Sequence, residues 1–271
     1  MSTLHLADEE SAADLRTYVS RAKRHDEGGA MRLQAVPTSA GGVLAAWMCV
    51  LPGAGLTRSG LVLGLRTLPL AGLDEPLDTT VALGALTDRF ARSGGTELSV
   101  PPTEVAAAWA AVSPPRGGWE LHGTVPVAHL LEVATAGITE VAVGTPEGAG
   151  SAAVADLRSR VWGRPLEGQA GHPEVPAGAA FGMHVLGFLG GPSTEEPVSV
   201  HASGPWVRLT SRLAFVLDDP AERTLVVLNM GSERVELPEG AEVLVSSDEL
   251  VDGRVPTDTA VWATLPDSDG S

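Results

Sequence analysis

The chain has 271 residues, 44% of them hydrophobic, which is enough for one large core or two smaller ones and argues against disorder. Its formal net charge is −16. A surface this acidic disfavours nucleic acid and anionic lipid, because both need clustered Lys and Arg.

The charge is uneven. Residues 218–271 carry thirteen acids and three arginines; residues 1–217 carry twenty-one acids and fifteen bases. The single cysteine, Cys49, excludes an intramolecular disulfide, and its apolar flanks make it read as a buried, inert thiol. The opening MSTLHLADEE lacks a basic n-region and a long apolar h-region, so it does not read as a signal peptide. The apolar stretches Val43–Leu51 and Ala177–Leu189 fall short of the ~20 residues that span a bilayer. A soluble, cytoplasmic protein is expected.

In chain order, Ser11 to Asp14 can cap a first helix over 11–25, with Leu15, Val19 and Ala22 at helical spacing. Its last turn holds the basic cluster Arg21, Lys23, Arg24 and His25, where cations complement the helix dipole. Met31, Leu33 and Ala35 alternate with polar neighbours as a half-buried strand. A turn at Pro37–Gly42 leads to Val43–Leu51, a nearly continuous apolar strand, so the two form a hairpin. After a turn from Pro52 to Gly55, Leu61–Leu68 reads as the third strand of a meander. Thr79–Leu83 reads as a further strand and Ala85–Arg92 as a short helix. Residues 94–124, rich in Gly and Pro, read as connecting loops.

The clearest helix follows at 126–143, with a stripe of Val127, Leu130, Leu131, Ala134, Ile138 and Val141. Ser151–Trp162 is another, with Val154, Leu157 and Val161 inside and an Asp156–Arg160 pair outside. Ala177–Leu189 reads as a third, more buried helix. From Val198 on, short strands dominate: 198–201, 206–209, 213–217, 224–229, 233–237, 242–246 and 260–264, spaced as in an antiparallel sheet or sandwich. The fold class expected is α+β: an antiparallel sheet or meander with packed helices, then a strand-rich C-terminal segment.

Motifs for chemistry are weak. Gly53, Gly55 and Gly60 follow a strand as a phosphate loop would, but the next element is β-like, so no helix N-terminus faces a ligand. No Walker A sequence occurs. No two of the seven histidines are spaced i,i+3 or i,i+4, and no second cysteine is available for zinc. No Gly-x-Ser-x-Gly elbow is present. The acidic doublets Glu195–Glu196, Asp218–Asp219 and Asp248–Glu249 fall at turns, and adjacent residues on a strand would face opposite ways. No catalytic, cofactor-binding or metal residue is therefore assigned.

The segments TLVVLNMGSERVELP (224–238), EVLVSSD (242–248) and DGRVPTDTAVW (252–262) are similar to the small β-domain that closes bacterial α-glucosidases of the α-amylase superfamily. The resemblance covers residues 213–265. In that family the catalytic carboxylates sit on a preceding (β/α)₈ barrel. The residues before 213 are too few for a barrel of ~250 residues and lack its alternation. The resemblance therefore implies a fold and no activity. The phrases DLRTYVSRAKRHD, MRLQAV and LRSRVWGRPL make residues 1–210 resemble an uncharacterised family of high-GC Gram-positive bacteria.

The organisation expected is an α+β domain over 1–210, a β-rich segment over 211–265 and a tail over 266–271. The function expected is non-catalytic: a cytoplasmic protein acting through protein contacts and pairing as a homodimer. The alternatives are a carbohydrate-associated accessory protein or glucosidase remnant, and an enzyme with an unrecognised site. For the interface, segments with few charges and a large apolar side chain are Pro197–Pro205, Trp206 and Val43–Leu51. Val43–Leu51 reads as core, so Val198, Val200 and Trp206 are the interface candidates.

Overall fold

The structure is a computed structural model. It describes the chain apart from residues 1, 39–40, 55–58, 93, 116, 146–149, 167–173, 191–195, 212–222, 230–233, 238–241, 247–249, 253, 257–258 and 266–271. The expected strand at 213–217, the doublets at 218–219 and 248–249, Glu195 and the tail lie outside the described residues. The fold class is α+β, with antiparallel sheets and packed helices.

A six-stranded sheet dominates the first hundred residues. Its strands are β1 (Thr3–Leu6), β2 (Ala30–Thr38), β3 (Gly41–Ala54), β4 (Ser59–Gly72), β5 (Leu77–Ala82) and β6 (Glu97–Ser99), in the order β5-β2-β3-β4-β1-β6. The expected hairpins are present, with Val36 opposite Val43 and Trp47 opposite Leu65. β3 and β4 run further than expected, because Pro52 continues the pairing, opposite Leu61, instead of opening a turn. A bulge between Cys49 and Leu51 accommodates this extension. The short strands β1 and β6 give little periodic signal and go unpredicted from sequence.

One face of the sheet carries Met31, Leu33, Ala35, Leu44, Ala46, Met48, Leu68 and Leu70, all buried. Helices α1 (Glu9–His25) and α2 (Leu83–Arg92) close over that face. The N-cap of α1 is Asp8 and not Ser11: the Asp8 side chain accepts from the Ser11 backbone N–H at 2.6 Å. The basic last turn of α1 also works in packing. Arg21 Nη1 donates to the carbonyls of Leu186 and Gly187, and His25 Nε2 lies 2.9 Å from the Val50 carbonyl.

The second half builds a three-stranded sheet, β7 (Glu120–Val125), β8 (Val198–Ser203) and β9 (Trp206–Thr210), in that order. It packs with α3 (Val127–Val143) and α5 (Ala177–Val185), while α4 (Ser151–Trp162) packs on these two helices and sends Val161 and Trp162 into the core of the six-stranded sheet. The inward stripe of α3 is Val127, Leu130, Ala134 and Gly137; Ile138, expected inside, is exposed. Gly137 belongs there because the Trp162 ring sits where a Cβ would go. That ring stacks on Phe181 at 4.3 Å.

Helix α5 is apolar apart from the exposed His184 because two of its sides are covered. Ala177, Phe181 and the following Leu186 join the core under the six-stranded sheet, whereas Ala180 and Met183 join the second cluster with Val125, Leu130 and Val198. This helix locks the two sheets' cores together.

In the C-terminal segment, β10 (Arg223–Asn229), β12 (Glu242–Ser246) and β14 (Thr259–Leu265) form an antiparallel sheet of order β10-β14-β12. β11 (Val235–Glu236) pairs with β13 (Arg254–Val255). No helix occurs among the described residues of this segment, as its alternation predicts.

Candidate functional site

Two surfaces stand out among the described residues. The first is the outer side of the three-stranded sheet. Residues alternate along β8, so Val198 and Val200 point into the second core and are 0% and 1% exposed. They cannot present an interface, because the chain's own α3 and α5 cluster already covers them. Trp206 does reach the surface: it is half-buried, opposite Ser203 beside the β8–β9 turn.

Ser199, His201 and Ser203 take the opposite side of β8. Register places His201 between Leu121 of β7 and Arg208 of β9. The Arg208 guanidinium lies 4.6 Å over the Trp119 ring, and Trp119 Nε1 donates to the Pro115 carbonyl at 3.0 Å. His122 Nε2 stands 3.9 Å from Glu120 Oε2. Burial, then the Arg208 and His122 charges, push the His201 imidazole below its ordinary range. Its Nδ1 is buried with no hydrogen-bond partner. His201 is thus held neutral at pH 7.

Beside this cluster, Gly118, Glu120, His122, Glu174, Ser203 and Val207 border an open cleft of about 660 Å³. Its groups can hydrogen-bond a hydroxylated ligand. No set of three metal-capable side chains occurs among the described residues. A flatter trough of about 790 Å³ lies along α3 between Leu131 and Val143; one helix's own side chains form it, so it encloses nothing.

The second surface is the outer face of the six-stranded sheet. An antiparallel sheet with one wet face alternates apolar and polar residues. Here the outward positions are Val43, Ala45, Trp47 and Cys49 on β3, paired with Leu63, Leu65 and Thr67 on β4. All seven are half-buried. On β3 the inward positions between them are the fully buried Leu44, Ala46 and Met48, so that strand is apolar on both sides; on β4 they are Gly64 and Arg66, which pairs with Asp14 of α1.

Polar groups border this apolar centre along β2 and at one end of β4. On one side Arg32 makes a two-pronged contact with Asp78, at 2.7 Å for each prong, and Gln34 donates to the same carboxylate. That hydrogen bond, with the carboxylate charge, holds the guanidinium above its ordinary pKa. Arg32 also donates to the Ala110 carbonyl and Ser113 Oγ, which fastens the 104–113 segment along the β5 side. At the end of β4, His5 lies opposite Gly72 and 3.9 Å from Glu97.

Residues 1–111 match the family model described as Domain of unknown function (DUF8010). Residues 114–223 match a second model, Domain of unknown function (DUF8185). No curated protein and no solved structure matches the chain. The two matched regions meet inside the segment expected to be one domain, and the second runs past 210. α5, from the second region, packs into the core of the first.

Sequence reasoning discarded the outer-face residues by reading Val43–Leu51 as core throughout. The signal was there: a continuous apolar run in an antiparallel strand means that both faces want cover.

Proposed function

We propose that this protein works through protein–protein contacts, with the outer face of β3 and β4 as the contact surface. One observation carries the reading. Trp47, Leu63 and Leu65 form an apolar centre bordered by the Arg32–Asp78 pair along β2, the layout of an interface core and its edge. Contiguous apolar patches are rare on a protein that functions alone.

The test is photo-crosslinking in cells, with a photoreactive amino acid at Leu65 and a control at Leu121, which is 65% exposed on the other sheet. Adducts of protein size at 65 and not at 121 are expected. Adducts at neither position, or at 121 alone, would overturn the reading.

A second reading, a carbohydrate-associated protein, has one observation in its favour beyond the tail's resemblance. The cleft gathers Glu120, His122, Glu174 and Ser203, which suit sugar hydroxyls. Titration with maltose while following tryptophan fluorescence tests it; a change lost in Glu174→Gln supports it, and no change rejects maltose as the ligand.

A further inference from the structure

We infer that the partner on this face is a second copy of the chain, packed sheet on sheet about a two-fold axis through β3 and β4. This rests on the contact reading above. Three observations single out a second copy.

The first is charge. A chain of net charge −16 repels itself, so self-association needs a surface where that charge is absent. The centre of this face has no ionisable side chain except Cys49, and the carboxylate of Asp78 at its rim is neutralised by Arg32.

The second is area. β3 and β4 span fourteen residues each and β2 nine, which at about 3.3 Å per residue is about 46, 46 and 30 Å, and each strand adds about 4.7 Å of width. Each copy thus offers about 570 Å² even as a flat projection, and a pair about 1,100 Å², above the roughly 1,000 Å² that a specific interface requires.

The third is shape. β3 and β4 are the two longest strands, with fourteen residues each, and are central in the sheet. Two such faces can meet as an aligned sandwich, burying both copies' Trp47 and Leu65 in one new core. The same patch serves both copies, as a two-fold contact demands.

Cys49 is the built-in probe. It lies on this face, and it is the chain's one thiol, so any alkylation of the unmodified protein reports this surface. The experiment combines sedimentation with the rate of Cys49 alkylation by a maleimide across nanomolar to high micromolar protein.

A dimer is expected at the high end, with alkylation slowing in proportion to the fraction dimerised. Leu65→Arg and, separately, Ala45→Arg should return the monomer and a concentration-independent rate, with the thermal midpoint that the unmodified protein shows at nanomolar concentration. A monomer at every concentration overturns the inference; Leu65 adducts with other proteins would then leave the contact reading standing. A dimer whose Cys49 reacts at one rate at all concentrations also overturns it, because the contact lies elsewhere. That arm needs no substitution and holds even where a variant fails to fold.

Discussion

Removing one oxygen from Tyr18 should make this protein more stable. Tyr18 is on the inner side of α1, 2% exposed, with its ring stacked on Phe188 at 5.6 Å. Its hydroxyl is buried without a hydrogen-bond partner. A buried polar group left unsatisfied costs about 1–3 kcal/mol, and its replacement by an apolar group of the same shape removes that cost. Tyr18→Phe should therefore raise stability at pH 7 by about 1–3 kcal/mol. For a chain of this size each kcal/mol is about 2–4 °C in thermal midpoint.

The same burial gives an alkaline signature. It pushes the Tyr18 phenol well above its ordinary range, with nearby Arg66 opposing only in part. The folded state keeps the proton while the unfolded state releases it above about pH 10. The folded state's advantage from the neutral phenol is thus intact below that pH and lost as pH rises beyond it, at up to about 1.4 kcal/mol per unit. The gap between variant and parent should widen above pH 10, measured by chemical denaturation at a series of pH values. Tyr18 is the chain's one tyrosine, so phenolate absorbance in the parent reports this residue alone and should rise only with unfolding. A less stable variant at pH 7, or phenolate forming while the circular dichroism stays native, would refute the orphaned hydroxyl.

His201 should make the protein acid-sensitive. Its lowered pKa means the unfolded chain takes up a proton below about pH 6.5 while the folded one resists, so stability present above that pH is lost as pH falls; His201→Gln should flatten the curve between pH 5 and 7 in denaturant titrations, a span about the imidazole's own range. Leu130→Ala, at a fully buried site, should cost about 2–5 kcal/mol, and Leu157→Ala, at a half-buried one, clearly less; equal losses in chemical denaturation would contradict the α3 and α4 packing. Chains ending at residue 211 or at 223 should both fold with a cooperative thermal transition, because among the described residues the two core clusters and the side chains packed on them run from Leu4 to Leu209. If only the longer one folds, the domain ends where the second matched family ends.

The elements with strong periodicity were legible in the sequence. The spacing in α1 and α3, and the alternation in β2, follow directly from which side is covered. Tertiary context decided the rest. Ile138 has the right spacing for the α3 stripe but is exposed, because the Trp162 ring takes the space against Gly137 and shifts the buried line toward it. Asp8 outranks Ser11 as a cap because strand β1 ends at Leu6 and delivers the chain to the helix two residues later. Nothing local in the sequence marks that handover.

The candidate surfaces show the same division. Val198 and Val200 carry the alternation of a half-buried strand, and alternation cannot say which half is wet. Their neighbours His201 and Ser203 settle it, since the polar side chains take the outer side and leave the valines for the core. In β3 the reverse holds. No polar residue alternates with Leu44, Ala46 and Met48, so the strand has no side that water favours. α5 meets the same condition and resolves it within the chain, between two cores. β3 has a core on one side only, and its other side, with the half-buried Trp47 at the middle, is the apolar surface on which the proposed contact rests.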